Sequence, residues 1–373
     1  MLEESNQVQV AQKKASPLIF IFGAVLVIVL GIILVEQFII PALTPEVMDN
    51  EVAGVIVISA VDTNDESQLL NQTFVVDFSN SELQFEKISS NILPYSIFVD
   101  FKDVLNPTEF ILRTMTFESL QEEVNDRIHM VDLVSGKASF FPSATSSNPE
   151  NLDWSKESNL IAYQVSDFNL PPYEAELISN HNIEVFSPAE DAVIQVITEA
   201  AQPQWSPDGT KLLYFKNDGL YLRDVRDGSD VLILGLIQNE NNPAGNFIDA
   251  NSMFAVSPDG KAFAWTAAFN GSIHTFAIES WEPFQFSDLG RVYDRGESEY
   301  YWPVFSPDGN FLSVQAIDTA EDPLNRTNSR LEIRKVKDVS LVKSISLEQF
   351  DFNALFTDDW IVDSEFISDL RGN

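Results

Sequence analysis

The 373-residue chain contains no cysteine, so neither a disulfide nor a thiolate-held metal is open to it. Histidine is nearly as scarce, with only His129, His181 and His274. Each falls in or just before a third strand of a different repeat unit, so the three are expected to stay apart in structural or surface roles. Positive charge is also in short supply: 22 Lys and Arg stand against 57 Asp and Glu, a formal net charge of −35. Such a field repels nucleic acid and anionic headgroups, which argues against both as ligands. It is expected to keep the surface solvated and resistant to aggregation, with high-salt adaptation or weak divalent-cation binding as alternatives.

Familiar catalytic signatures are missing too. The chain holds no Gly-x-Ser-x-Gly elbow, no His-Glu-x-x-His pair and no phosphate-binding glycine loop. Asp62-Thr-Asn-Asp-Glu and Asp224-Val-Arg-Asp-Gly-Ser-Asp are acidic, but neither has the spacing of an EF-hand loop. No cofactor is expected.

What is present is a repeat. Trp205-Ser-Pro-Asp-Gly, Val256-Ser-Pro-Asp-Gly and Phe305-Ser-Pro-Asp-Gly each join the end of one apolar strand to the start of another. Proline presets φ near −65°, the Asp side chain closes the turn, and Gly takes a conformation that a Cβ would forbid. Trp154-Ser-Lys-Glu-Ser-Asn is a decayed fourth copy. The leading positions 154, 205, 256 and 305 are spaced by 51, 51 and 49 residues. A period of about 40–50 residues with several short strands per unit is the signature of a β-propeller blade. Third strands follow, such as Ile183-Glu-Val-Phe and Leu331-Glu-Ile-Arg, then fourth strands such as Val231-Leu-Ile-Leu.

These Trp/Phe-Ser-Pro-Asp-Gly units resemble the WD40-like PD40 repeats of the TolB-type β-propeller family. The resemblance covers roughly residues 52–365 and implies an all-β propeller of four-stranded blades. Counting 52, 101, 152, 203, 254 and 303 predicts six blades, with seven if the last segment pairs differently. Blade one lacks a leading strand, and Asn353-Ala-Leu-Phe near the C-terminus is expected to supply it. Trp360 onward would then be an extra strand or tail. The separate N-terminal α/β domain of TolB-like proteins is not expected in the short segment ahead of the repeats.

That segment carries a different signal. Pro17–Val35 is a 19-residue run without charge, extended by Phe38–Ile40. At about 1.5 Å per residue it covers close to the ~30 Å hydrocarbon core, so a transmembrane helix is predicted over 17–40. Lys13 and Lys14 precede it, while Glu46, Asp49 and Glu51 follow. The positive-inside rule then leaves residues 1–16 as a cytoplasmic tail and puts the propeller (52–373) outside, periplasmic or extracellular, after a 41–51 linker. The rival reading is a cleaved signal peptide, for which no small-x-small site stands out.

Propeller turns alternate between two faces. The Ser-Pro-Asp-Gly turns trim one face, and the longer connections, such as 166–182, 236–252 and 287–302, fall on the other. Loops on one rim of a rigid scaffold usually carry binding. The candidate contact residues there are Tyr173, Tyr293, Arg295, Tyr300, Tyr301 and Trp302, since aromatics and Arg dominate interfaces. The competing assignment puts Tyr301 and Trp302 in the core, opening the strand before Phe305. A non-enzymatic docking module for a protein or cell-envelope component is the expected function. The alternatives are a lactonase- or hydrolase-like propeller enzyme with a channel-bound metal, or a glycan or small-molecule binder.

Overall fold

The computed structural model describes residues 52, 54–60, 72–77, 85–87, 96–104, 107, 109–114, 127–132, 135, 137–141, 149–166, 180–216, 218–235, 253–267, 271–293, 298–318, 329–347 and 356–361. The predicted tail, transmembrane helix and linker therefore lie outside the described residues. Val52–Asn373 forms a compact unit of its own. Among the described residues no helix is long and apolar enough to cross a membrane.

The described strands build six four-stranded antiparallel sheets. The first holds β1 (Val55–Ala60), β2 (Gln72–Asp77) and β3 (Phe85–Lys87). Five further sheets each use four consecutive strands. They are β4 (Ser96–Phe101), β5 (Glu109–Thr114), β6 (Arg127–Asp132) and β7 (Lys137–Phe140); then β8 (Pro149–Trp154), β9 (Ile161–Ser166), β10 (His181–Ser187) and β11 (Ala192–Thr198). Next come β12 (Ala201–Trp205), β13 (Lys211–Lys216), β14 (Gly219–Asp224) and β15 (Asp230–Gly235). The last two sheets are β16 (Met253–Val256), β17 (Ala262–Ala267), β18 (Ser272–Trp281) and β19 (Phe284–Tyr293), and β20 (Ser298–Phe305), β21 (Phe311–Asp318), β22 (Ser329–Lys335) and β23 (Leu341–Ser346). Finally β24 (Phe356–Ile361) returns to the first sheet and pairs with β1, Trp360 opposite Ile56. The innermost strands adjoin one another around a ring in the order β24, β4, β8, β12, β16, β20 and back to β24. This is an all-β propeller of four-stranded blades.

Two expectations need correction. The closing strand is Phe356–Ile361 rather than the segment starting at Asn353, and Trp360 belongs to it instead of a tail. The stretch 287–302, read from sequence as a loop, is mostly strand. Strands β18 and β19 are ten residues each and stay paired as far as Ser272↔Tyr293, two register shifts absorbing the sequence irregularity. Phe284 and Phe286 on β19 pack against Phe263, which the alternation of Phe and polar residues in 284–287 allows.

The core lies in wedges between adjacent blades. Trp154 packs back onto the preceding blade with Ile111 and Ile128, Trp205 with Ile183 and Val185, and Phe305 with Ala264 and Ile273. Burying side chains of this size contributes about 1.5–3 kcal/mol each. The leading aromatic of a repeat thus packs between its own blade and the one before it.

The Ser-Pro-Asp-Gly turns are built alike. Gly209 N donates to Ser206 O at 2.8 Å, and Lys211 N donates to Ser206 Oγ at 2.9 Å. The Ser206 hydroxyl donates in turn to Asp208 Oδ1 at 2.6 Å. Ser257/Asp259 and Ser306/Asp308 repeat the pattern. In the decayed copy Gly is replaced by Ser158, and the left-handed residue moves one place on to Asn159 (φ 55°). Asparagine tolerates that region better than most side chains.

Glycine is needed in these turns for a second reason. A Cβ on Gly260 would sit 2.2 Å from Pro207 Cγ of the preceding blade's turn, and one on Gly209 would sit 2.4 Å from Ser155 Oγ. Neighbouring turns therefore stack around the face. We predict that Gly260→Ala costs more stability than Gly228→Ala in urea melts. Both residues have positive φ, an expense of about 1–3 kcal/mol for a non-Gly residue. A Cβ at 228 meets the flexible ends of Arg223, at 3.1 Å, and of Gln195, at 3.9 Å. Equal losses would show that the turn-to-turn contact contributes nothing.

Candidate functional site

The residue just before each leading apolar position faces the next blade. Asp100 Oδ2 accepts a hydrogen bond from Trp154 N at 2.7 Å, and Asp153 Oδ2 accepts one from Trp205 N. Gln204 Oε1 accepts from Val256 N at 3.3 Å. The equivalent residues in the next two blades are Ala255 and Val304, whose side chains have no acceptor. Asp153 is tied to its neighbour twice, since its carbonyl oxygen also accepts from Trp205 Nε1 at 3.0 Å.

Two residues earlier the inner strands bulge. Register shifts interrupt β8, β12 and β20, and Asn151, Gln202 and Trp302 sit there with φ of 48°, 55° and 50°. A glycine usually fills this place in a bulge. Gln164, buried on β9, steadies two of the three. Its Oε1 accepts from Asn151 Nδ2 at 3.0 Å and from Gln202 N at 3.1 Å, while its Nε2 donates to His181 Nδ1 at 3.2 Å. Trp302 N instead donates to Met253 Sδ at 3.3 Å. Holding a tryptophan in the left-handed region costs about 1–3 kcal/mol, and strain of that kind concentrates at binding sites.

These positions surround a cavity of about 400 Å³ at one mouth of the central channel. Its wall is made by the last residues of β4, β8, β12, β16 and β20 and by the turns that follow them. The cavity is two-sided. Three blades contribute Asp100, Asn151, Asp153, Gln202 and Gln204; the other two contribute Met253, Ala255, Trp302, Pro303 and Val304. Its volume falls within the range of small-ligand sites, about 300–1,000 Å³.

Its two lysines are already engaged. Lys102 Nζ lies 2.7 Å from Glu109 and 4.7 Å above the Trp154 ring, and Lys156 Nζ lies 2.6 Å from Asp103. Burial pushes the Asp153 carboxyl up from 3.8 to about 7, against the smaller opposing effect of the Trp205 N–H. A carboxyl in this position exchanges its proton near neutral pH.

Of the residues singled out from sequence, Trp302 reaches the cavity, from the channel wall and not from a rim loop. Tyr300 is buried in the wedge before its blade, with the Arg334 guanidinium 5.6 Å from its ring centroid. Tyr301 is half-buried and donates to Glu299 Oε2 at 2.7 Å. Tyr293 ends β19. Tyr173 and Arg295 lie outside the described residues. The cavity opens on the face of the short turns, opposite the one favoured from sequence. Its polar positions stand in the sequence as Asp153 and Gln204 before the two tryptophans and Asp100 before Phe101, at close to the period of the turns. His129, His181 and His274 stand on β6, β10 and β18, in three different sheets. Among the described residues no three His, Asp or Glu are grouped to hold a metal.

No family model matches the sequence, and no curated protein matches it. Solved structures do. TolB from Acinetobacter baumannii superposes with a TM-score of 0.54 at 14% identity, over 83% of this chain and 67% of that one. A hypothetical selenium-binding protein from Sulfolobus tokodaii superposes with a TM-score of 0.55 at 10% identity, over 81% of this chain and 93% of that one. The fold shared with both is the β-propeller.

The Asp153 carboxyl carries a pH prediction. Its folded value lies above its ordinary 3.8, so the folded state holds the proton more tightly. The favourable contribution is complete below the ordinary value and is lost as pH rises to about 7. Asp153→Asn keeps an acceptor for Trp205 N but cannot ionise. The variant should match the wild type near pH 4 and exceed it by about 1–4 kcal/mol near pH 8, in urea melts. A difference that does not change with pH would show that Asp153 ionises normally.

Proposed function

We propose that this chain is a docking module without enzymatic activity: a TolB-like propeller held outside a cell membrane by one helix over Pro17–Ile40, with its N-terminus in the cytoplasm. Its partner is a protein or cell-envelope component. The observation that carries this reading is the cavity of about 400 Å³ at the channel mouth, walled by strands whose positions are fixed from blade to blade. Such a site is preorganised, so little ordering entropy opposes association. The charge-free run of Pro17–Val35 behind Lys13 and Lys14 supports the anchor and its direction.

One observation favours an enzyme instead. A carboxyl titrating near 7 inside a cavity suits a general acid or base. Against this, Asp153 Oδ2 is engaged by Trp205 N, and the neighbouring Asp100 is held in the same way, so both carboxylates act first as structural acceptors. A small-molecule or glycan ligand would fit the same volume.

A photo-crosslinking residue distinguishes the two faces. We would place it at Glu157, exposed beside the cavity, or at Asp218, exposed in the turn between β13 and β14 on the opposite face. After illumination of full-length protein in its native membranes, a dominant adduct is expected from position 157 alone. Adducts from position 218 alone would move the docking site to the long-loop face. No adduct from either would remove the docking reading and turn attention to small ligands.

A further inference from the structure

Two polar side chains are shut into the wedge where the sixth sheet (β20–β23) meets the first. The wedge is otherwise apolar: Ile56, Ile58 and Phe74 of the first sheet pack against Leu331, Ile333 and Ile345 of the sixth. Ser313 and Gln315 on β21 stand opposite Ile333 and Leu331. Cross-strand partners share one face of a sheet, so both side chains point into this wedge. Each is wholly buried, at 0% exposure, which leaves no room beside it for a trapped water. The Ser313 hydroxyl and both ends of the Gln315 amide have no hydrogen-bond partner. Six buried side-chain atoms are in that state among the described residues, and three of them are here.

Gln164 holds the same register place in the third sheet. It pairs with Glu150 just ahead of the bulge in β8, as Gln315 pairs with Tyr301 just ahead of the bulge in β20. There the amide is fully used. Its Oε1 accepts from Asn151 Nδ2 and from Gln202 N of the next blade, and its Nε2 meets His181 Nδ1. Gln315 makes no such link, although β24 of the next blade also shifts register, opposite Val57 and Ile58. Val304, in the place of Asp153, offers β24 no side-chain acceptor either. We propose that the propeller ring parts at this seam, between β20 and β24, and that Gln315 and Ser313 set how readily it does so. A buried amide or hydroxyl without a partner raises the energy of the closed state, and both gain hydrogen bonds to water once the wedge opens. The apolar side chains around them favour closure, so the two tendencies oppose each other within one wedge. Strand β20 also supplies Trp302, Pro303 and Val304 to the cavity wall. Opening along its flank therefore gives the channel mouth a second shape without unfolding a sheet, whatever the cavity binds.

Amide hydrogen exchange on the full-length protein in detergent reads the opening. Peptides covering β1, β21 and β22 should exchange about tenfold or more faster than peptides covering β9, β10 and β13. That comparison is made on the wild type and needs no variant. Ser313→Ala and Gln315→Met together remove the unpartnered groups at nearly constant volume. The double variant should slow exchange at the seam by about tenfold and raise the urea midpoint. Gln164→Met, which breaks a satisfied network, should lower the midpoint. A double variant that lowers the midpoint as Gln164→Met does would show that Ser313 and Gln315 have partners in the closed ring, and would overturn the proposal. Equal exchange at the two seams in the wild type, or seam exchange that the double variant leaves unchanged, would overturn it as well.

Discussion

A single hydrogen bond type organises this propeller: a side chain at the end of one inner strand accepts the main-chain N–H of the leading residue of the next. Asp100 holds Trp154, Asp153 holds Trp205 and Gln204 holds Val256. The residue whose N–H is held is the one whose side chain packs back into the wedge, as Trp154 and Trp205 do. One contact thus satisfies a main-chain donor at the channel and sets the depth of the largest side chain between two sheets. Unsatisfied, such a buried N–H would cost about 1–3 kcal/mol. The stacked turns reinforce the arrangement, because a turn that carries no Cβ at Gly209 or Gly260 can close against its neighbour.

The same interaction explains why the cavity is lopsided. Where the acceptor is present, the channel mouth is lined by carboxylates and amides. Where Ala255 and Val304 replace it, the wall is apolar and the neighbouring bulge holds Trp302 against Met253. The polarity of the site follows from which inner strands end in a carboxylate or amide acceptor and which end in Ala255 or Val304. A ring of identical repeats would have a symmetric mouth with no preferred orientation for a ligand. Divergence at two residues per repeat, the one before the leading position and the one in the bulge, makes an oriented site without altering the scaffold.

The fold was legible in the sequence because the turn chemistry is local. Ser, Pro, Asp and Gly each have a reason to occupy their place in the turn, so the period and the class of blade could be read from three tetrapeptides. Ring closure was legible in outline and missed in register: Phe356–Ile361, not Asn353 onward, pairs with β1. Nothing local distinguishes those two short apolar runs, and the choice is made by pairing with a strand some 300 residues away in the chain. The site was harder to read. Loop length points to the opposite face, and the sequence shows the aromaticity of Trp302 but not its bulge. A left-handed tryptophan is a property of register against β21, which no single-strand pattern encodes. Asp100 and Asp153 were in plain view at a 53-residue spacing, but acidic residues are so numerous in this chain that the pair was inconspicuous.

The account stands on the blade-to-blade acceptor, and site-resolved amide hydrogen exchange tests it directly. In the wild-type protein the Trp154, Trp205 and Val256 amides should exchange slowly. Asp153→Ala removes one acceptor, so exchange at Trp205 should accelerate by about tenfold or more while Trp154, held by Asp100, stays slow. An unchanged Trp205 amide, or equal acceleration at both tryptophans, would contradict the assignment of that contact as the local fastening between blades.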